Sequence, residues 1–528
     1  MLDNKLTNYL IILTIVILSF LTRFPGYDNR MLWHDELWRI NLILSDDLIT
    51  RFSRYPDIFT STTAPLYIAF IKLLSFFDLS PASLRLSSFI PGVLSPALAY
   101  LIIKKASKNT YLALTCSFIF IANLNFIHYS KEMKPYAFEV FMHLLCLYAW
   151  VSLIFSKLSN SKIYLLVLSM SALVLSGANC VFIFPAICIS TTYLIYLKDK
   201  KFINLILFNF LILLMLCSAM YYFNWQYGRS KSLHDFWEVG FYDNTKSAYL
   251  YFIINKLTEM WSTAFITIGS NLYISIVIFL SYIFSLLFSL KNIFNRKYLE
   301  KNSVLLLITT YLITVTLLNL LKMWPLGSLR TNLFIYGHFI ILIFLVVSTV
   351  QNNIIKNIVI LTIAIAETIS LPKIYSFDFN AIGINGHKTD YVWDSFKSNN
   401  EAYIEIQQQC QNGMVIVIMS NSMDSAKDYL IKKDLRSGSK KSILLAECVK
   451  IIRLPTDQSG WDYTYLRKII SEANGNNKPI WFLYGGIIDE NLSKISETLS
   501  KLGAIKLERK FDISGYLLVV PRNKDITK

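Results

Sequence analysis

Long apolar runs separated by short basic turns organise the first 372 residues of the chain. A helix crosses the hydrocarbon core of a bilayer with about 20 predominantly apolar residues, and with fewer where flanking side chains snorkel. Tyr9–Leu21 is the first such run, preceded by Lys5 and closed by Arg23-Phe24-Pro25-Gly26. No small-x-small cleavage site follows it, which predicts an uncleaved anchor rather than a removed signal peptide. Further runs follow at 83–103, 110–127, 136–156, 163–177, 180–197, 202–221, 264–290, 303–321, 331–350 and 354–371, making eleven expected spans. A shorter stretch, Pro65–Phe77, is interrupted by Lys72 and reads as interfacial or re-entrant.

After residue 372 the texture changes. Apolar runs shorten to strand length at Met414–Met419, Ile480–Tyr484 and Tyr516–Val520. Helical patterns at Trp461–Ala473 and Asn491–Leu502 lie between or beside them, with turns at Ser437-Gly438-Ser439 and Gly485-Gly486. Strands alternating with helices predict a small α/β domain over 373–528. No glycine-rich phosphate loop opens a helix after any of these strands, so nothing argues for nucleotide binding. The expected fold class is an α-helical polytopic membrane domain, 1–372, followed by a C-terminal α/β domain.

Composition agrees with the pattern. Of 528 residues, 54% are apolar and only 16% charged, and the mean hydropathy is +0.46; soluble domains carry roughly a quarter charged residues. A disordered chain, a soluble nucleic-acid binder and a disulfide-rich secreted scaffold are thereby excluded. The net charge of +16 then becomes a topology signal, because Lys and Arg gather in short cytoplasmic loops and near anionic head groups. The turns 104–108, 157–162, 198–201 and 291–301 are short and lysine-rich. They predict a cytoplasmic N-terminus, with 23–82, 128–135, 222–263, 322–330 and the tail on the opposite, extracytoplasmic face. Seven cysteines show no CxxC or Cys/His cluster, which argues against a zinc or iron–sulfur site. Those in apolar runs read as packing residues, while Cys410 and Cys448 could pair in an extracytoplasmic tail.

The outer face collects the candidate chemistry. The first loop contains Trp33-His34-Asp35-Glu36-Leu37-Trp38: two carboxylates at a span mouth, readable as a solvated acidic pair beside an aromatic belt or as a retained base. His-Asp-Glu in direct succession converges poorly on one ion. Two neighbouring carboxylates could hold a divalent metal, but no ligand set is evident, and no cofactor is expected. Later come Ala64-Pro65-Leu66-Tyr67, where Pro65 suits a helix start capped by Thr62 or Thr63, and Arg85, which could simply snorkel. The second outer loop, His128 to Tyr136, places Glu132, Lys131 and Lys134 at a helix N-terminus, either as snorkelling lysines or as an anion site. The third, Lys322 to Asn332, brings Pro325 and Gly327 before Arg330, whose fork matches a lipid phosphate or snorkels. A carboxylate base, a cationic clamp and an apolar setting together make up the parts for attack on a phosphate-activated lipid.

These residues resemble the polytopic glycosyltransferases of the GT-C superfamily, most closely the family-39 protein mannosyltransferase-like group that includes the lipid A aminoarabinose transferase. The family's Trp-x-Asp-Glu corresponds to Trp33–Glu36, its Pro-Pro-Leu-Tyr to Ala64–Tyr67 and its Arg-Leu to Arg85-Leu86. Its Tyr-Ser-x-Glu-x-Arg-Pro-Tyr-Ala corresponds to Tyr129–Ala137, and its late-loop arginine to Arg330. Lys134 replaces the family's Arg, which keeps the charge and loses the bidentate fork, and Ala64 replaces a Pro. The resemblance covers mainly 1–180 and 320–340.

It implies an inverting enzyme of the bacterial plasma membrane that moves a monosaccharide from a polyprenyl phosphate to an extracytoplasmic acceptor on lipid, glycan or protein. Asp35 would be the base, with Glu36 or Glu132 orienting the acceptor or tuning that base. Arg330 and Lys134 would hold the donor phosphate, while Tyr67, Arg85 and Tyr136 would position the substrates. Membrane lipids are expected partners and nucleic acid is not. The alternatives are an oligosaccharyl or O-antigen ligase with a lipid-diphosphate donor, and a non-catalytic envelope-glycan transporter. A secondary transporter would place charges at mid-span in matching halves, whereas here they cluster at span ends on one face.

Overall fold

The structure is a computed structural model, describing residues 2–25, 27, 32, 36, 39, 64–223, 238–243, 248–264, 299–327, 330–349 and five strands within 414–520. Its helices are α1 (Leu2–Arg23), α2 (Pro65–Phe77), α3 (Pro81–Ser107), α4 (Thr110–Ala122), α5 (Leu124–Tyr129), α6 (Pro135–Ile154), α7 (Asn160–Ser176), α8 (Phe184–Lys198), α9 (Ile203–Phe223), α10 (Tyr249–Ala264), α11 (Leu299–Leu320) and α12 (Leu333–Thr349). Among the described residues, five helical stretches are long and apolar enough to cross a membrane: Lys5–Arg23, Pro81–Ser107, Pro135–Ile154, Lys200–Tyr222 and Leu299–Leu320. Pro65–Phe77, Thr110–Ala122, Asn160–Ser176 and Leu333–Ser348 are shorter apolar helices. The expected run 354–371, and 264–290 beyond its first residue, lie outside the described residues.

Two expected spans are interrupted, each for a local reason. The run 110–127 breaks at Asn123, which ends α4 and caps α5, its Oδ1 accepting from the amides of Asn125 and Phe126. Such side-chain bonds substitute for the helical ladder. The run 180–197 becomes a helix only at Phe184, because Gly177 has φ +153° and residues Ala178–Phe182 form a 3-10 turn.

Contacts divide the chain into two compact units: 1–27, 49–74 and 85–387, and separately 28–48, 75–84 and 388–528. In the first, α6 is central, touching α5, α7, α8 and α12, and it is buried on nearly every side. Its Trp150 indole donates to Ser190 Oγ of α8 at 3.0 Å. Deeper between helices, His338 Nδ1 lies 2.8 Å from Tyr311 Oη, and the His143 ring meets His338 edge-on with centroids 4.6 Å apart. At the periphery, α1 exposes Leu10, Leu13, Ile17 and Leu21, and α9 exposes Leu207, Phe208, Leu211 and Met215. Apolar faces of that extent suit lipid rather than water.

The second unit carries a five-stranded sheet in the order β2-β1-β3-β5-β4. Its strands are β1 (Met414–Ile418), β2 (Val449–Arg453), β3 (Ile480–Gly485), β4 (Glu508–Arg509) and β5 (Gly515–Val520). β1 runs parallel to β2 and β3, and β5 pairs antiparallel with β3 and β4. The parallel pairs require crossover connections; the expected helices 461–473 and 491–502, and Cys410 and Cys448, lie outside the described residues.

Candidate active site

Proline sets the geometry of the second outer loop. A residue before Pro is driven to extended backbone, and Lys134 has φ −130°, ψ 150°, so α6 starts at once with Pro135 in its first turn. The loop is tight: the Lys134 amide donates to the Glu132 carbonyl at 2.7 Å and the Lys131 amide to His128 O at 3.0 Å. It seats on α3 at Gly92, where a Cβ would collide with Ser130 Cβ. Lys131 Nζ reaches the Pro25 carbonyl at 2.5 Å, tying the loop to the end of α1. Ala64 precedes Pro65 in the same way, and α2 begins there as the sequence predicts.

A hydroxyl chain links three sequence-distant segments. Ser87 Oγ donates to Tyr67 Oη at 3.1 Å, Tyr67 Oη lies 2.8 Å from Ser88 Oγ, and Ser88 Oγ donates to the Lys134 carbonyl at 2.7 Å. Each hydroxyl has one proton, so Tyr67 must donate to Ser88, and the chain runs one way. All four residues are buried. Arg85, one turn before Ser88 on the same helical face, is fully buried, which removes snorkelling as its explanation. Lys131, Glu132 and Lys134 are likewise buried, at a desolvation cost that freely snorkelling lysines avoid. Tyr136 is half-buried and packs edge-on against Tyr129 at 5.3 Å.

The third loop is a pedestal. Asn332 Nδ2 donates to the carbonyls of Pro325 at 3.2 Å and Gly327 at 3.0 Å, and Asn332 Oδ1 accepts from Trp324 Nε1 at 2.9 Å. Tyr336 Oη donates to Gly327 O at 3.0 Å. Below, Asn319 Nδ2 donates to Gly240 O at 2.8 Å. Gly327 has φ +121°, and a Cβ there would stand 2.8 Å from Glu259 Oε2, the partner of Lys256 Nζ at 3.1 Å. Arg330 begins the 3-10 turn Arg330–Asn332 that leads into α12.

Both loops occupy one end of the helical body. Gly337, early in α12, would place a Cβ 3.5 Å from Val140 Cγ1, early in α6, and the segment 177–182 joins both starts: a Cβ on Gly177 would stand 3.2 Å from Glu139 Oε1, and Phe182 meets Trp324 at 5.4 Å and Phe334 at 5.2 Å. Lys134 and Arg330 therefore share an end. The lysine-rich turns 157–162 and 198–201 meet at the other, where Lys198 Nζ donates to Ser156 O at 3.1 Å. Of the first-loop residues, Asp35 lies outside the described residues, while Glu36 in the second unit has helical backbone and a fully buried side chain, as does Arg39. Among the described residues no three His, Cys, Asp or Glu side chains group to hold a metal ion. Sequence reasoning passed over His128, whose Nε2 lies 3.0 Å from Glu132 Oε1; its i,i+4 spacing was the available signal.

No protein-family model and no curated protein matches the chain. Among solved structures it resembles ArnT from Cupriavidus metallidurans in the apo state, at 12% identity, covering 98% of each chain with a TM-score of 0.54. The chain has the GT-C fold. The same ArnT bound to undecaprenyl phosphate aligns at 11% identity, covering 96% of this chain and 97% of that one, with a TM-score of 0.50. The archaeal oligosaccharyltransferase AglB from Archaeoglobus fulgidus, in complex with an inhibitory peptide and a dolichol-phosphate, aligns at 13% identity and a TM-score of 0.45, covering 91% of this chain and 70% of that one. In GT-C terms, the matches to ArnT run nearly end to end, so the fold extends well past the motif-bearing segments.

Proposed function

We propose that the protein is a membrane glycosyltransferase that moves a monosaccharide from a polyprenyl phosphate to an extracytoplasmic acceptor. One observation carries the reading: buried Glu132 and Lys134 sit at the same end of the helical body as Arg330, on a fold shared with an ArnT whose structure holds undecaprenyl phosphate. The lysine-rich turns 157–162 and 198–201 at the opposite end support a site outside the cytoplasm, in a bacterial plasma membrane.

In the reaction, the donor phosphate rests between Arg330 and Lys134, with its polyprenyl tail in lipid. Asp35 takes the proton of the acceptor hydroxyl as its oxygen attacks the anomeric carbon. The carbon–oxygen bond to phosphate breaks on the opposite face, its electron pair leaves with polyprenyl phosphate, and the configuration inverts. Charge growing on the leaving phosphate is stabilised by the two cations in a site that excludes water, so no strong general acid is needed. Glu36 and Glu132 orient the acceptor. Tyr67 and Arg85 brace the Lys134 segment, and Tyr136 lines the approach.

The test uses purified protein in liposomes with a panel of undecaprenyl-phosphate and undecaprenyl-diphosphate monosaccharides, plus a membrane extract as acceptor source. Release of undecaprenyl phosphate from a monophosphate donor is expected, with Asp35→Asn slower by at least about 10²-fold. Full activity in Asp35→Asn removes it as the base. Turnover of diphosphate donors alone would make the protein a ligase, and turnover of neither would favour a transporter.

A further inference from the structure

Glu132 has one oxygen accounted for and one not. Its Oε1 faces His128 Nε2 at 3.0 Å, with both side chains largely buried. Its Oε2 is buried without a hydrogen-bond partner. A carboxylate only accepts, so the proton between the pair sits on Nε2, as both the ε tautomer and the imidazolium provide. The histidine is itself held. Its ring meets Tyr129 edge-on at 4.9 Å, and Tyr129 in turn meets Tyr136 at 5.3 Å. The nearest lysine in sequence, Lys131, is directed to the Pro25 carbonyl.

A pair serving only to hold the loop would be expected to use both oxygens, since a buried acceptor without a donor is costly and rare in native proteins. Asn332 in the late loop engages both its amide oxygen and its nitrogen, although the neighbouring Thr331 Oγ1, an uncharged hydroxyl, is buried without a partner. We infer that His128 is a positioning residue that clamps Glu132 through Oε1 and leaves Oε2 to accept a hydrogen bond from a substrate hydroxyl. The inference rests on the glycosyl-transfer reading and names within it the atom that meets the polyhydroxylated ligand. His128 touches no substrate; it fixes the angle at which Oε2 is offered.

The experiment measures turnover and KM for His128→Ala, His128→Gln, Glu132→Gln and the double variant His128→Ala/Glu132→Gln in the full-length protein. The probe is whichever undecaprenyl-phosphate monosaccharide of the panel the wild type consumes. His128→Ala is expected to lose about tenfold in kcat. His128→Gln, whose amide N–H can reach the same oxygen, should stay within about threefold of wild type. The double variant should be no slower than Glu132→Gln, because the histidine acts only through the glutamate. A full rate in His128→Ala, or losses that multiply in the double variant, would overturn the inference. Should His128→Ala fail to fold, His128→Leu fills more of the site and carries the same expectation. A wild type idle on every donor defeats the functional reading itself, whereas an active wild type with an unaffected His128→Ala defeats this inference alone.

Discussion

The two loops that meet at one end of the helical body solve opposite problems. In the late loop, the Trp324 indole, the Asn332 amide and the Tyr336 hydroxyl all engage within the segment Trp324–Tyr336, so the chain holds its own shape. The loop before α6 buries three charged side chains within four residues, Lys131 to Lys134, and one carboxylate oxygen stays unpartnered. On the proposed function, the first is a braced support that presents Arg330, and the second supplies Glu132 and Lys134. Buried charges are candidates for chemistry, whereas the engaged amide, indole and hydroxyl of the late loop read as support, even though Thr331 Oγ1 there is buried without a partner.

That contrast can be broken by substitution. The largest effect is expected from Lys134→Gln, which should slow transfer by on the order of 10³-fold, as removal of one preorganised charge-stabilising group does. Its melting temperature in detergent should barely move; a large loss of stability with normal turnover would reverse the roles of the two loops. Asn332→Leu is expected to cost about 3 kcal/mol of stability, read as a lower melting temperature, because the Pro325 carbonyl and the Trp324 indole lose their partner and the Gly327 carbonyl keeps only Tyr336. Gly327→Ala should cost roughly 1–2 kcal/mol from the left-handed backbone alone, and more if Glu259 cannot swing aside. Ser88→Ala should cost about 1 kcal/mol, with a modest drop in turnover, since it breaks the hydroxyl chain but leaves the lysine in place.

Much of this was legible wherever local chemistry decides conformation. Pro65 and Pro135 open helices as read. The strand-length runs at Met414, Ile480 and Tyr516 coincide with β1, β3 and β5. β2 and β4 escaped because Val449-Lys450-Ile451-Ile452-Arg453 is weakly alternating and Glu508-Arg509 is strand only through pairing with β5. The break at Asn123 was hidden because averaging over a long apolar run dilutes the two polar residues, Asn123 and Asn125, that mark it. Tyr67 and Lys134 were visible as residues but not as a chain through Ser88, since a hydroxyl pair 21 positions apart and a hydroxyl–carbonyl pair 46 apart are joined by packing alone. The sharing of one end by Lys134 and Arg330 was readable from span parity; the unpaired oxygen of Glu132 was not.

Because Pro135 dictates the backbone before it, position 134 has a fixed address regardless of which side chain occupies it. On the proposed function, exchanging its lysine for arginine would alter the grip on a phosphate without altering placement: a round ammonium for a flat, two-pronged group. On that reading, what is held there could drift by one codon while the place of holding stays put.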